Sequence, residues 1–488
     1  MLSVLSRATS CRQGIEPLAT TVGILHSPRM PDRTQADPQS TGHAGSTGNA
    51  GQPVLARRVG LFLLISYGVG DIVGSGIYGT IGVAAGRMGN AVWLAFVASM
   101  VAALLTGLTY ASISSRYPRA AGAAYVAQRA FHRPFLSYLI GLAILASGLT
   151  SIGTASNVFA ENLGRLLGGI PPRLIILAFL AALALINFRG ISESMTANLV
   201  CTLIEVGGLL FVIVVGARFW GSVDYFETPS RTVTGSGLSA PLLLSGAVLT
   251  FYSFVGFEDM INVAEEVRNP ERTMPLALVV AVSIATLLYL AVSVTAVSVV
   301  HYQELANPDL GAPLAQITKR AAPWLSPWVY AAITLFAVSN TALLNYVMGS
   351  RLAYGMARQG LLPRPLGRVH TSRLTPHVAI GVLFMAALAL AYIGNIRTLA
   401  RATSVLLLGV FAVMNLALVV LKLRPDEPRG RFEIPLPVPL AGIAVCCLLL
   451  AHAKRGELFI AGGLLAGIVL LYFILRPASR VDRGFLAG

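Results

Sequence analysis

Residues 66–78 read SYGVGDIVGSGIY, and residues 251–259 read FYSFVGFED. Each stretch lies inside a long apolar run and interrupts it halfway along with glycine and small polar residues. Glycine lets the backbone leave a helix and approach other groups closely. In lipid, unwound backbone survives only where it is buried in protein or lines a cavity. Two interruptions of this kind are the pattern of discontinuous membrane helices around a binding site. The plain alternative for Gly74-Ser75-Gly76 is tight helix packing through small residues. For Tyr252 to Gly256 it is a lipid-facing aromatic stripe. Glu258 and Asp259 follow Gly256 at once and weigh against that stripe, because acids at membrane depth are costly.

The rest of the chain fits this reading. Hydrophobic residues make up 55% of the 488 and charged residues 12%, against about 25% charged in soluble domains. Such a chain cannot build a hydrated shell. A spanning helix needs about 20 mostly apolar residues. Such runs lie near 59–83, 90–113, 135–157, 172–188, 196–217, 241–263, 276–300, 327–350, 377–395, 399–421, 435–452 and 457–475. The third has room to begin earlier, near Gly122, as an interfacial or cytoplasmic segment. The interrupted stretches open two successive groups of five, and an odd number per group inverts the second copy. The expected fold class is an all-α membrane protein of about 12 transmembrane helices. It has two inverted five-helix repeats plus two extra helices, with helices 1 and 6 discontinuous.

Repeat one is expected over about 59–219, repeat two over about 240–421 and the last two helices over about 435–475, within a transmembrane domain at 56–476. Residues 1–55 are rich in Gly, Ser, Thr, Pro and Gln and read as a disordered cytoplasmic tail. They carry no signal-peptide pattern. Residues 477–488 read as a second cytoplasmic tail.

The net charge is +15, but the basic residues come in small groups between apolar runs. That is the pattern of loops beside an anionic leaflet, not of a nucleic-acid surface. With the N-terminus inside, basic residues favour the inner loops by about two to one, which places both termini in the cytoplasm and the chain in the cell membrane. Cys11, Cys201, Cys446 and Cys447 show no metal or disulfide spacing.

The interrupted stretches carry the chemistry. Freed N–H groups at Gly74-Ser75-Gly76 would attract a carboxylate, helped by the helix dipole. Freed carbonyls around Tyr252 to Gly256 would accept an ammonium, with aromatic rings as walls. Asp71, Glu205, Glu258 and Asp259 are ionisable residues at membrane depth and candidates for proton or ion coupling. Glu205 lies mid-run in TLIEVGG at 202–208. Its structural alternative is a protonated side chain hydrogen-bonded to a neighbouring helix. The stretch EEVRNPERTMP at 265–275 is a charged inner loop, solvated or carrying gating salt bridges. No nucleophile elbow, phosphate loop, metal-ligand cluster or cofactor motif occurs, so neither an enzyme nor an ATP-driven pump is expected.

These motifs resemble the amino acid–polyamine–organocation superfamily of permeases. Gly68, Gly70, Gly74, Ser75, Gly76, Ile77 and Tyr78 are similar to its first-helix signature. FYSFVGFEDMINVAEEVRNPERTMP at 251–275 resembles its most distinctive stretch. SSRYPRAAGAAYV at 114–126, NFRGISESMTAN at 187–198 and NTALLNYVMGSRLAYGMARQGLLP at 340–363 resemble three further segments. The similarity covers about residues 55–475.

The resemblance implies a LeuT-type fold and a secondary amino acid transporter working by alternating access, proton-coupled and sodium-independent. An exchanger of the same fold is the alternative, with a sensor or channel behind it. The substrate carboxylate would meet N–H groups around Ser75, Gly76 and Ile77. The ammonium would meet carbonyls near Ile72 and around Phe251, Tyr252 and Phe254, and Tyr252 and Val255 match positions that contact or gate substrate in relatives. Two residues depart from the pattern. Glu205 stands where several sodium-independent relatives carry a lysine, so it is expected to be a protonation or cation site. Asp71 stands where relatives often have a neutral residue, and it biases the pocket toward cationic substrates.

Overall fold

The computed structural model describes residues 55–229, 237–393, 396–453 and 455–475, without the side chains of residues 75, 308, 327 and 393–404. The tail expected at 1–55, apart from Leu55, and that at 477–488 lie outside them. Among the described residues every regular element is helical, and the only other pairing is an isolated bridge between Val59 and Val267.

The first half of the chain forms α1 (Leu61–Met88), α2 (Val92–Arg116), α3 (Gly122–Phe131), α4 (Pro134–Leu167), α5 (Pro172–Arg189) and α6 (Ile191–Gly216). The second half begins with α7 (Ala240–Phe251), α8 (Pro270–Val299), α9 (Pro313–Ala321) and α10 (Pro327–Arg358). It ends with α11 (His377–Ile393), α12 (Ile396–Leu423), α13 (Pro437–Ala451) and α14 (Arg455–Leu475). Proline opens α4, α5, α8, α10 and α13, at a position where its missing N–H costs no helical bond. The segment near Gly122 is a helix of its own. His132, in the left-handed region, and Pro134 separate it from α4.

Nine stretches of described residues are long and apolar enough to cross a membrane; one of them runs over α1 and α2 together. Two shorter apolar helices cover His377–Tyr392 and Pro437–Ala451. Large apolar side chains face outward on several helices: Val214 is 71% exposed, Leu287 68% and Phe459 83%. An apolar outer surface of this kind needs lipid rather than water.

Inside the bundle, α1 packs against α6, α8 and α10, while α2 runs along α8 and α4 along α10. Outside the spans, Arg116 at the end of α2 pairs with Glu433, and Arg129 on α3 pairs with Glu427. The segment before α13 is thereby clasped to α2 and α3.

Candidate functional site

Both interrupted stretches leave the helix where glycine allows it. In α1 the backbone departs at Gly74, with φ −26° and ψ −152°. In the second half, α7 stops at Phe251, a 3-10 turn covers Tyr252–Phe254, and Gly256 takes φ +132° before a 3-10 helix at Phe257–Glu266. A side chain at Gly256 would be strained by that φ. It would also sit 2.8 Å from the carbonyl oxygen of Asp71. A Cβ at Gly76 would lie 3.0 Å from the Cα of Ser253. The two breaks therefore face each other backbone to backbone, and only glycine permits the approach.

A cavity of about 40 Å³ opens beside this junction. Its walls include Asp71, Ile72 and Gly76 from α1 and Tyr252, Val255 and Glu258 from the second break, all of them singled out in the sequence. Gly256 and Asp259 also line it, as do Ser147 and Ser151 of α4 and Thr341 and Asn345 of α10. Gly74 packs against the hydroxyl of the wall residue Thr341 and is not itself part of the described lining. Ile77, Phe251 and Phe254 lie in the core behind it. The side chain of Ser75 is outside the described residues.

Polar bookkeeping at the cavity is incomplete. The Gly256 N–H donates to Glu258 Oε2 over 2.8 Å. Among the described residues, Asp71 Oδ2 and Asp259 Oδ1 are buried without a hydrogen-bond partner. Buried polar atoms are nearly always paired, so orphans gathered at one place mark a site that something else completes.

Glu205 is not a cavity wall. It is fully buried on α6, where Asn340 of α10 donates Nδ2 to its Oε2 over a long 3.4 Å. The same amide reaches Thr202 Oγ1 at 3.0 Å, and Thr202 in turn donates to Asn198 Oδ1 at 3.1 Å. These side chains crowd Gly70 of α1. Glu205 thus sits in a polar node joining α1, α6 and α10. Its Oε1 and Asn340 Oδ1 are both buried without a partner among the described residues.

Some participants gave no local sign in the sequence. Tyr289 of α8 donates its hydroxyl to the Ile72 carbonyl at 2.5 Å and the Ser253 carbonyl at 2.7 Å. Thr80 and Ser253 join their hydroxyls at 2.5 Å across the same junction. Arg351 is fully buried on α10. It pairs with Glu266, in the stretch that the sequence left as solvated or carrying salt bridges.

The amino acid permease family model matches residues 59–473, nearly the whole described chain. The chain belongs to the amino acid permease family, within the amino acid–polyamine–organocation superfamily. An uncharacterized transporter of Mycobacterium tuberculosis is 30% identical over 439 residues, covering 88% of this chain and 94% of that protein. The branched-chain amino acid permease BcaP of Bacillus subtilis is 25% identical over 461 residues, covering 89% and 96%. The vacuolar cationic amino acid transporter 4 of Arabidopsis thaliana is 31% identical over 408 residues, covering 78% of this chain and 65% of that protein. In this permease the two helix breaks meet at one polar cavity.

Proposed function

We propose that this permease carries an amino acid across the cell membrane by alternating access, coupled to protons and independent of sodium. The observation that carries the reading is the junction of the two breaks, where freed backbone groups and orphaned carboxylate oxygens border one cavity. The amino acid's carboxylate binds the N–H groups around Ser75, Gly76 and Ile77, past the break in α1. Its ammonium binds the Ile72 carbonyl and those of Phe251, Tyr252 and Phe254. Tyr252 and Val255 close over it.

Glu205 is the proton carrier in this reading. Glu205 Oε1 and Asn340 Oδ1 are two buried acceptors without a donor. One proton on the carboxyl supplies the hydrogen that they lack. Losing it leaves a buried charge against α1, a cost that biases the bundle toward another arrangement.

The substrate side chain is cationic in the same reading. Three carboxylates, Asp71, Glu258 and Asp259, line the cavity, and no Lys, Arg or His stands among the described lining residues. A second positive charge on the substrate is the simplest complement.

Counting α1 and α2 separately and adding the two shorter apolar helices brings the nine stretches to twelve crossings. These divide into two inverted repeats of five and a final pair, with both termini in the cytoplasm.

A thermal-shift screen of the purified permease against all amino acids and common polyamines tests the proposal, since a ligand of the folded state raises the melting temperature. Lysine, arginine or a close relative should stabilise it. No stabilisation by any amino acid would remove the basis for the reading.

A further inference from the structure

A helix break frees carbonyls that would otherwise accept from the N–H four residues on. Ile72 and Ser253 carry two such carbonyls, one in each break. Both meet a single side chain from a third element. The Tyr289 hydroxyl lies 2.5 Å from the Ile72 oxygen and 2.7 Å from the Ser253 oxygen. The residue is fully buried. Its ring is wedged edge-on against Phe254, with centroids 5.1 Å apart, and tilted against Phe96 at 5.7 Å. A phenol so held cannot swing away to another partner.

We infer that Tyr289 is a positioning residue for the substrate ammonium: it aims the Ile72 carbonyl and locks the two breaks into one receptor. A phenol has one hydrogen, shared here between two oxygens. Each carbonyl has two lone pairs, so Ile72 accepts the phenol on one and keeps the other for an ammonium. The hydrogen bond from Tyr289 fixes the direction of that free lone pair. It also ties Ile72 to Ser253, so the binding groups of the two breaks move together. Tyr289 is absent from the cavity wall and acts only through the carbonyls.

This inference rests on the amino acid reading, and the test keeps the two apart. Uptake kinetics are measured in proteoliposomes for wild type and Tyr289→Phe, using the amino acid that stabilises the wild type best. Inhibition by the same compound lacking its α-amino group is measured in parallel. Wild type that transports no amino acid counts against the transport reading itself. Given wild-type transport, Tyr289→Phe should raise KM about tenfold, because the Ile72 carbonyl it no longer aims loses one hydrogen bond to the charged ammonium, with at least half of the maximal rate. Inhibition by the des-amino compound should stay within twofold, because that ligand never uses the Ile72 carbonyl.

An unchanged KM, or equal weakening of both ligands, would overturn the assignment. Phe96→Leu loosens the ring packing but keeps the phenol, so it should lower the melting temperature without separating the two ligands. If Tyr289→Phe does not accumulate, 3-fluorotyrosine at position 289 replaces it. This stronger donor of nearly the same size should change KM for the amino acid while inhibition by the des-amino compound stays within twofold, and no change in KM would overturn the assignment.

Discussion

Arg351 on α10 and Glu266 at the end of the second broken helix form an ion pair at 3.0 Å, with side chains 0% and 1% exposed. Ser350 accepts a further hydrogen bond from the guanidinium at 2.9 Å, and Asn187 of α5 accepts another. The pair thus binds the element beyond the cavity to α10 and α5. Beside it, the Glu266 carbonyl accepts from the N–H groups of Arg58 and Val59, which leads the chain into α1.

Removing one member of this pair leaves the other buried and uncompensated, which costs about 3–5 kcal/mol in other proteins. Arg351→Met alone and Glu266→Gln alone should each lower the melting temperature of the purified permease by several degrees or abolish its accumulation. Arg351→Met with Glu266→Met should recover part of that loss. A double variant no more stable than the worse single one would contradict the pair as described.

Gly256→Ala should abolish substrate-dependent stabilisation and uptake. The position combines φ +132° with a Cβ 2.8 Å from the Asp71 carbonyl, so alanine must push the two breaks apart. Thermal shift and uptake on the same preparation check this. Wild-type behaviour of the variant would mean that the close approach is dispensable. Gly79, whose Cβ would meet nothing within 4 Å, is the matched control, and Gly79→Ala should remain active.

Asp71→Asn should shift selectivity from cationic toward neutral amino acids by about tenfold, the worth of one desolvated charge contact of 1–2 kcal/mol. Competition of lysine and leucine against a labelled substrate reads the ratio directly. A ratio unchanged in this variant, and in Asp259→Asn, would place the side-chain preference elsewhere.

The clasp outside the spans gives a pH prediction. Burial acts to raise the Glu433 carboxyl. Hydrogen bonds from Arg116, Lys422 and the Gly430 N–H outweigh it and hold the group down at about 2, below its ordinary 4.5. A depressed carboxyl stabilises the fold above the unfolded value and loses that contribution as the pH falls through the folded one. The difference in melting temperature between wild type and Glu433→Gln should therefore be constant above pH 4.5 and shrink between 4.5 and about 2. A difference that stays constant across that window would contradict the clasp.

The two breaks were legible in the sequence because their signals are local. Gly74 and Gly256 interrupt apolar runs, and the acids after Gly256 stand out where few charges occur. Tyr289, Asn340 and Thr341 were not legible. Each sits in an apolar helix and acquires its meaning only from partners far away in the chain, as Tyr289 does across 217 residues to Ile72. Arg351 was not legible for a related reason. Its neighbours in sequence suggest a helix end near the loop, but its partners Asn187 and Glu266 lie on other elements and draw it inside.

Glu205 carries the central claim, and uptake into proteoliposomes tests it most directly. Labelled amino acid is followed with and without an inward proton gradient, for wild type and Glu205→Gln, at matched reconstitution. The wild type should accumulate substrate several-fold more with the gradient. Glu205→Gln should equilibrate substrate without responding to the gradient. Gradient-driven accumulation that persists unchanged in Glu205→Gln would contradict the account.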